Sequence, residues 1–209
     1  MLQFENVKKQ YGSFTALDIE SFTIDNGLIW LIGENGSGKT TLLKMIAGVL
    51  PFDGDIKIDN QISIRKQRRH FVSLVNYAET EPTYPDFLTA KELVKLYAYS
   101  KKGSIEETEE LLRQLHIFDS YNNPISTYSS GMVKKLGIAL AFCGNPKWIL
   151  LDEPLATTDV ASVEIICNMI KQKHAQGTSF IITSHQAFNE TQISFTTKLL
   201  VTDRTIVKQ

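Results

Sequence analysis

The chain is poor in several features that mark large protein classes. It has two cysteines in 209 residues, Cys143 and Cys167. Both lie in apolar, helical-looking segments without the spacing of a metal site, so they read as buried thiols. No apolar run approaches the ~18 to 20 residues that a membrane-spanning helix needs. The start, Met1-Leu2-Gln3-Phe4-Glu5, lacks the basic and apolar regions of a signal peptide, so the expected location is the cytoplasm. A formal net charge of −1 offers no electrostatic case for nucleic acid, and none is expected as a partner. The one basic run, Arg65-Lys66-Gln67-Arg68-Arg69, reads as a solvated surface turn or helix. Internal repeats and low-complexity linkers are absent. With 43% hydrophobic and 22% charged residues, the chain can bury the core of one α/β domain with room for a smaller subdomain.

Against this background, Gly33-Glu34-Asn35-Gly36-Ser37-Gly38-Lys39-Thr40 fits the phosphate-binding pattern G-x-x-x-x-G-K-[ST] without a mismatch. Glycines let the backbone turn tightly and approach an anion, so successive N–H groups point at phosphate oxygens while the following helix adds its positive end. The flanks suit the motif. Leu28 to Ile32 is an apolar run of buried-strand length, and Thr41 to Leu50 places Leu42, Leu43, Met45, Ile46 and Val49 at helical spacing. The phosphate-contacting set is therefore Gly33 to Thr41, with Lys39 as the charge for the β- and γ-phosphates. The Thr40 hydroxyl is a ligand for Mg²⁺, a hard cation that prefers oxygen.

A second constellation is Trp148-Ile149-Leu150-Leu151-Asp152-Glu153-Pro154, an apolar strand ending in two carboxylates, the Walker B pattern. Ligands of open α/β sheets gather at the carboxyl ends of strands, so Asp152 is delivered beside the P-loop to hold Mg²⁺. Glu153, one residue on, is placed to polarise an attacking water.

Between them, Tyr128-Ser129-Ser130-Gly131-Met132-Val133-Lys134-Lys135 opens a helix with a turn of small residues. In this order the three motifs resemble those of ATP-binding cassette (ABC) proteins, whose signature is L-S-G-G-Q. The resemblance runs along nearly the whole chain. It implies that Ser129, Ser130 and Gly131 form a second anion site, with the amides at a helix N-terminus. By the same resemblance Tyr11 is similar to the aromatic that stacks on adenine, though a core-packing aromatic is the alternative. Asp159 looks like the D-loop aspartate, and His185 resembles the switch histidine that senses the γ-phosphate. Two departures stand out. The signature has Ser130 for the first glycine and Met132 for the glutamine. Where the family has its Q-loop glutamine, the chain reads Tyr77-Ala78-Glu79-Thr80-Glu81-Pro82. Thr80 falls in the glutamine slot and Glu81 beside it; a carboxylate can reach the metal region, whereas threonine is short.

The resemblance implies an α/β fold: a P-loop NTPase core with a mostly parallel sheet, an N-terminal antiparallel β element over residues 2–24 and a helical subdomain. Residues 1–81 and 144–209 form the core in this reading, 82–143 the helical part, and Lys198 to Val207 a terminal hairpin. It also implies ATP and Mg²⁺ as ligands, Glu153, His185 and Lys39 as the catalytic set, and Thr40, Asp152 and Glu81 as the metal set. A separate membrane permease and a second cassette are the implied partners, placing the chain on the inner face of the membrane. A soluble ABC-type ATPase fits less well. Paired-cassette translation factors need a chain about twice as long, and repair ATPases carry a long coiled coil between the Walker motifs. A small-molecule kinase or GTPase leaves the signature turn and His185 unexplained, and no N-K-x-D motif is present.

Overall fold

The computed structural model describes residues 1–156, 159–184 and 193–209. In chain order its elements begin with β1 (Leu2–Tyr11), β2 (Phe14–Ile24), β3 (Leu28–Ile32) and α1 (Lys39–Ile46). Then come β4 (Asp53–Ile58), β5 (Ile62–Ser63), α2 (Arg68–Ser73), β6 (Val75–Ala78), α3 (Ala90–Lys101) and α4 (Ile105–Gln114). The remainder is α5 (Ser130–Ala141), β7 (Trp148–Leu151), α6 (Val160–Ala175), β8 (Ser179–Thr183), β9 (Thr197–Thr202) and β10 (Thr205–Lys208).

Among the described residues these strands form two sheets. One is antiparallel, in the order β2-β1-β4-β5; the other runs β10-β9-β3-β8-β7-β6 and is parallel except for β10, which pairs antiparallel with β9 as the expected terminal hairpin. The central strands are apolar throughout because both faces are covered, and their period-two alternation sorts the side chains into two cores. Ile29, Leu31, Trp148, Leu150 and Ile181 face the side that holds α1 and the antiparallel sheet. Leu28, Ile149, Leu151, Phe180 and Ile182 face the side packed by α3, α4, α5 and α6.

Helix α5 lies in both parts of the molecule. It contacts α3 and α4, but also β6 and β7. The Asn76 side chain of β6 donates to the Ala141 and Cys143 carbonyls at 2.8 and 2.9 Å, satisfying groups that the end of α5 leaves without a helical partner. A division of the chain after residue 143 thus assigns to the helical part a helix that also covers the sheet. Helix α1 is shorter than its apolar spacing suggests. It ends at Ile46, Gly48 turns away at φ 73°, and Val49 is 54% exposed rather than part of the buried stripe. Both cysteines are buried free thiols, and the basic run is an exposed turn entering α2, as expected.

The seam between β1 and β4 is the tightest backbone approach in the antiparallel sheet. Its register shifts between Glu5 and Lys8, Asn6 adopts φ 49°, and a Cβ on Gly54 would lie 2.1 Å from the Asn6 carbonyl oxygen. Gly177 also has positive φ, 98°, but faces open space. Gly54→Ala is therefore expected to destabilise by about 3–5 kcal/mol, left-handed strain plus overpacking, and Gly177→Ala by only about 1–2 kcal/mol. Thermal unfolding of the two variants side by side checks this. Equal losses would remove the close-approach argument.

Candidate functional site

The sheet order decides what meets at the carboxyl ends of the strands. Because β8 lies between β3 and β7, the loop after β3, the end of β8 and the carboxylates after β7 converge, with the segment after β6 on the far side of β7. A cleft of about 450 Å³ opens there, lined by Asn35, Gly36, Gly38, Lys39, Thr40, Thr41, Thr80, Asp152, Glu153 and Ala156.

The loop after β3 has the backbone its glycines permit. Gly33, Gly36 and Gly38 have φ 154°, 80° and 107°, and Gly38 caps α1 in the left-handed region. A Cβ on Gly33 would meet the Val201 carbonyl oxygen at 2.7 Å, and one on Gly38 the Leu17 side chain at 3.1 Å, so the loop is pressed between β9 and β2. Gly36 faces open space. The Lys39 ammonium donates to the Gly33 and Glu34 carbonyls at 2.7 and 2.9 Å, curling the loop around it. Burial lowers the Lys39 pKa, while the Glu153 and Asp152 carboxylates oppose that shift.

Asp152 is buried and serves as the hub. Oδ2 accepts from the Thr40 hydroxyl at 2.8 Å and from the Tyr77 hydroxyl at 3.4 Å, while Oδ1 accepts from the Thr183 hydroxyl at 2.7 Å. Tyr77 is raised far above the usual phenol pKa, first by burial, then by the charges of Asp152 and Glu79 and its hydrogen bond to Asp152. It therefore acts as a neutral donor. Glu153 follows at φ 51°, its N–H bonded to Thr183 Oγ1 at 2.8 Å.

Thr40, Thr80, Glu81 and Asp152 also line an adjoining cleft of about 320 Å³. Glu79, two residues before Glu81, is paired with Lys44 at 2.9 Å. The signature turn is elsewhere. Ser129 caps α5, accepting from the Met132 N–H at 3.3 Å, and neither it nor Ser130 nor Gly131 lines the cleft of its own chain. A Cβ on Gly131 would meet nothing in the chain nearer than Ser129 Oγ at 3.9 Å. Asp159 caps α6 through Ser162 and pairs with Lys135 at 2.8 Å. The Lys135 contact, then the Ser162 donors, hold its carboxyl well below the usual range. Tyr11 ends β1 at the hairpin turn, is 48% exposed, and has the Lys9 ammonium 4.8 Å from its ring centroid; it does not line the cleft. His185 lies outside the described residues.

Four side chains at the site have no role assigned from the sequence: Thr183 at the end of β8, Tyr77 at the start of the Q-loop stretch, and Lys134 and Lys135 after the signature turn. Lys134 is buried and donates to the Ala156 carbonyl at 2.7 Å; burial lowers its pKa against the pull of Glu153, Asp152 and Glu81. Strand register brings Thr183 in: the parallel pairing of Leu151 with Ile182 sets the next residues of β7 and β8 side by side, which no local sequence pattern marks.

Chemically, the cleft has a cationic, amide-rich side at Lys39 and the start of α1 and an anionic side at Asp152 and Glu153. This polarity suits a polyphosphate carried with a divalent cation. Thr40 and Asp152 form an all-oxygen donor pair at the cleft, the set expected for Mg²⁺ that retains waters. No larger cluster of His, Cys, Asp and Glu capable of caging a metal occurs among the described residues.

Comparison with known proteins agrees with this chemistry. Residues 17–156 match the family model described as ABC transporter. The linearmycin resistance ATP-binding protein LnrL of Bacillus subtilis (strain 168) is 31% identical over 191 residues, covering 88% of this chain and 61% of that protein. The chain thus spans about three-fifths of the length of the first curated relatives it matches. Among solved structures, an ATP binding subunit of an ABC transporter superposes with a TM-score of 0.88 at 23% identity, covering 100% of this chain and 89% of that one. A dimeric ATP-binding cassette in a post-hydrolysis state, bound to ADP and Pi, gives 0.82 at 20% identity, covering 100% of this chain and 98% of that chain. A P-loop folded onto a Walker B carboxylate, a signature turn on a separate helix and a family match over most of the chain lead to one assignment: the chain belongs to the ABC transporter family, as one of its nucleotide-binding domains.

Proposed function

We propose that this chain is the ATP-binding and ATP-hydrolysing subunit of an ABC transporter, driving a separate membrane permease through ATP-dependent association of two cassettes. The observation that carries the reading is the joining of Lys39, Thr40, Asp152 and Glu153 around one cleft. Lys39 and the α1 amides bind the β- and γ-phosphates, exchanging the loop carbonyls for phosphate oxygens. Thr40 and Asp152 would hold Mg²⁺, with Glu81 within the adjoining cleft, and the chemistry it would supply there is neutralisation of charge on the phosphates. Glu153 accepts a proton from the attacking water as the bond from the γ-phosphorus to the bridging oxygen breaks. His185 is assigned to the γ-phosphate by family resemblance, as Tyr11 is to adenine and Asp159 to the D-loop.

Association follows from where the signature turn sits. Ser129, Ser130 and Gly131 do not line the cleft of their own chain, and a Cβ on Gly131 would have only Ser129 Oγ in ordinary contact among the described residues, so a second cassette is the natural source of a γ-phosphate contact. That a cassette of the same fold is dimeric with ADP and Pi bound supports a pairing of two cassettes. A ligand that touches only the closed pair shifts the population toward it, and hydrolysis releases it. No helix among the described residues is long and apolar enough to cross a membrane. In this reading a separate permease supplies the transport path and the subunit works on the cytoplasmic face.

Two experiments test the reading. Lys39→Ala should abolish productive ATP binding. Glu153→Gln should bind ATP, hydrolyse it slowly and sediment as a dimer only with ATP; adding Gly131→Asp should keep the monomer folded and block the dimer by crowding and like charge against phosphate. Wild-type turnover in Glu153→Gln would remove that residue from the chemistry, and an ATP-dependent dimer of the double variant would refute the signature assignment. For the Q-loop segment, Glu81→Ala should lower hydrolysis while sparing ATP affinity, with Thr80→Gln tolerated. ATPase rates with and without the permease decide the matter. Loss of stimulation alone would assign Glu81 to coupling, and unchanged rates in both conditions would remove it from function.

A further inference from the structure

We propose that Thr183 is a positioning residue that sets both carboxylates of the site from behind. The inference rests on the proposed reading of Asp152 as the metal-side carboxylate and Glu153 as the base. Thr183 ends β8, the strand between the P-loop strand and the Walker B strand, and its accessible surface is 0%. One hydroxyl makes two bonds there. It donates to Asp152 Oδ1 at 2.7 Å and accepts the Glu153 N–H at 2.8 Å. A hydroxyl is donor and acceptor at one atom, so it can serve a carboxylate and an adjacent amide together.

Each bond fixes a separate feature. Thr40 and Tyr77 lie on Asp152 Oδ2 and Thr183 on Oδ1, so the carboxylate cannot rotate without breaking contacts on both sides. Thr183 thereby determines which oxygen is presented beside Thr40, where the cation is to be held. The second bond anchors the amide of Glu153, a non-glycine residue at φ 51°. That conformation is costly for a side chain of this size and persists where the surroundings hold it. The branched Cβ of threonine restricts χ1, so the hydroxyl is held in one direction inside the sheet. Buried partners of this kind, one shell behind a metal ligand, commonly change metal affinity or activity by about 10- to 100-fold when removed.

The test uses the full chain as wild type, Thr183→Val, Thr183→Ser and Thr183→Ala. The first readout is Mn²⁺ binding followed by electron paramagnetic resonance in the presence of a non-hydrolysable ATP analogue; the second is affinity for that analogue without metal; the third is turnover. Valine matches threonine in shape and removes both bonds. Thr183→Val is expected to weaken Mn²⁺ binding about 10- to 100-fold and to lower kcat by a similar factor, with metal-free affinity within about twofold of wild type. Thr183→Ser should restore most of both, because it keeps the hydroxyl. If the valine form does not fold, Thr183→Ala, which leaves room beside the amide, is judged on the same readouts. Wild-type Mn²⁺ binding and turnover in the valine or alanine form would overturn the positioning role. A wild-type chain that binds neither analogue nor Mn²⁺ would overturn the nucleotide reading itself, a separate result.

Discussion

One buried carboxylate, Asp152, ties together three stretches of chain that are remote in sequence. Thr40 reaches it from the P-loop helix, Thr183 from β8 and Tyr77 from β6, all by hydrogen bonds to its two oxygens. A carboxylate taken out of water without partners would be strongly unfavourable, and here neutral donors offset that cost with the Lys39 charge nearby. The same bonds fix the shape of the cleft. Loosening Asp152 would free the start of α1, the turn to Glu153 and the entry to the segment after β6 together.

The sheet makes this meeting possible, and the helices carry it outward. Parallel strands β3, β8 and β7 end at one edge, so the loop after β3, the end of β8 and the carboxylates after β7 need no long excursion to meet. From there two neighbouring lysines of α5 reach the ends of the segment that follows Walker B. Lys134 holds the Ala156 carbonyl and Lys135 the Asp159 carboxylate. The helix that begins at the signature turn is thus fastened on both sides of the stretch that follows Asp152 and Glu153. In the proposed dimer, a contact made by one cassette's signature has a short mechanical route to its own Walker B strand.

Much of the scaffold was legible because burial on both faces leaves a plain mark. Leu28 to Ile32, Trp148 to Leu151 and Phe180 to Ile182 are continuous apolar runs, and the glycines of the P-loop stand where φ is positive. The short, half-exposed elements gave no such mark. Strand β4 mixes Asp53 and Asp55 with Ile56 and Ile58, and α2 is six mostly exposed residues rich in Arg and His. Val49 shows the opposite failure, since helical spacing continued past a helix that Gly48 had already ended. At the site, most of the residues that line the cleft belong to contiguous motifs, Gly33 to Thr41 and Asp152-Glu153, and could be named directly. Thr183, Tyr77, Lys134 and Lys135 could not, because their partners are distant and depend on strand register or on which face of α5 meets the sheet. A threonine 31 positions from Asp152 carries no local sign of a 2.7 Å bond.

The central claim is that Asp152 joins the phosphate-binding loop to the cation through its charge, and Asp152→Asn removes that charge, with one of two acceptor oxygens, while nearly preserving the shape. Calorimetric titration with ATP, once with Mg²⁺ and once with the metal chelated, measures the two contributions separately. The account predicts that the variant loses the affinity gained from Mg²⁺ and keeps metal-free ATP binding close to wild type, since Lys39 and the α1 amides are untouched. An unchanged gain from Mg²⁺ in Asp152→Asn would contradict it.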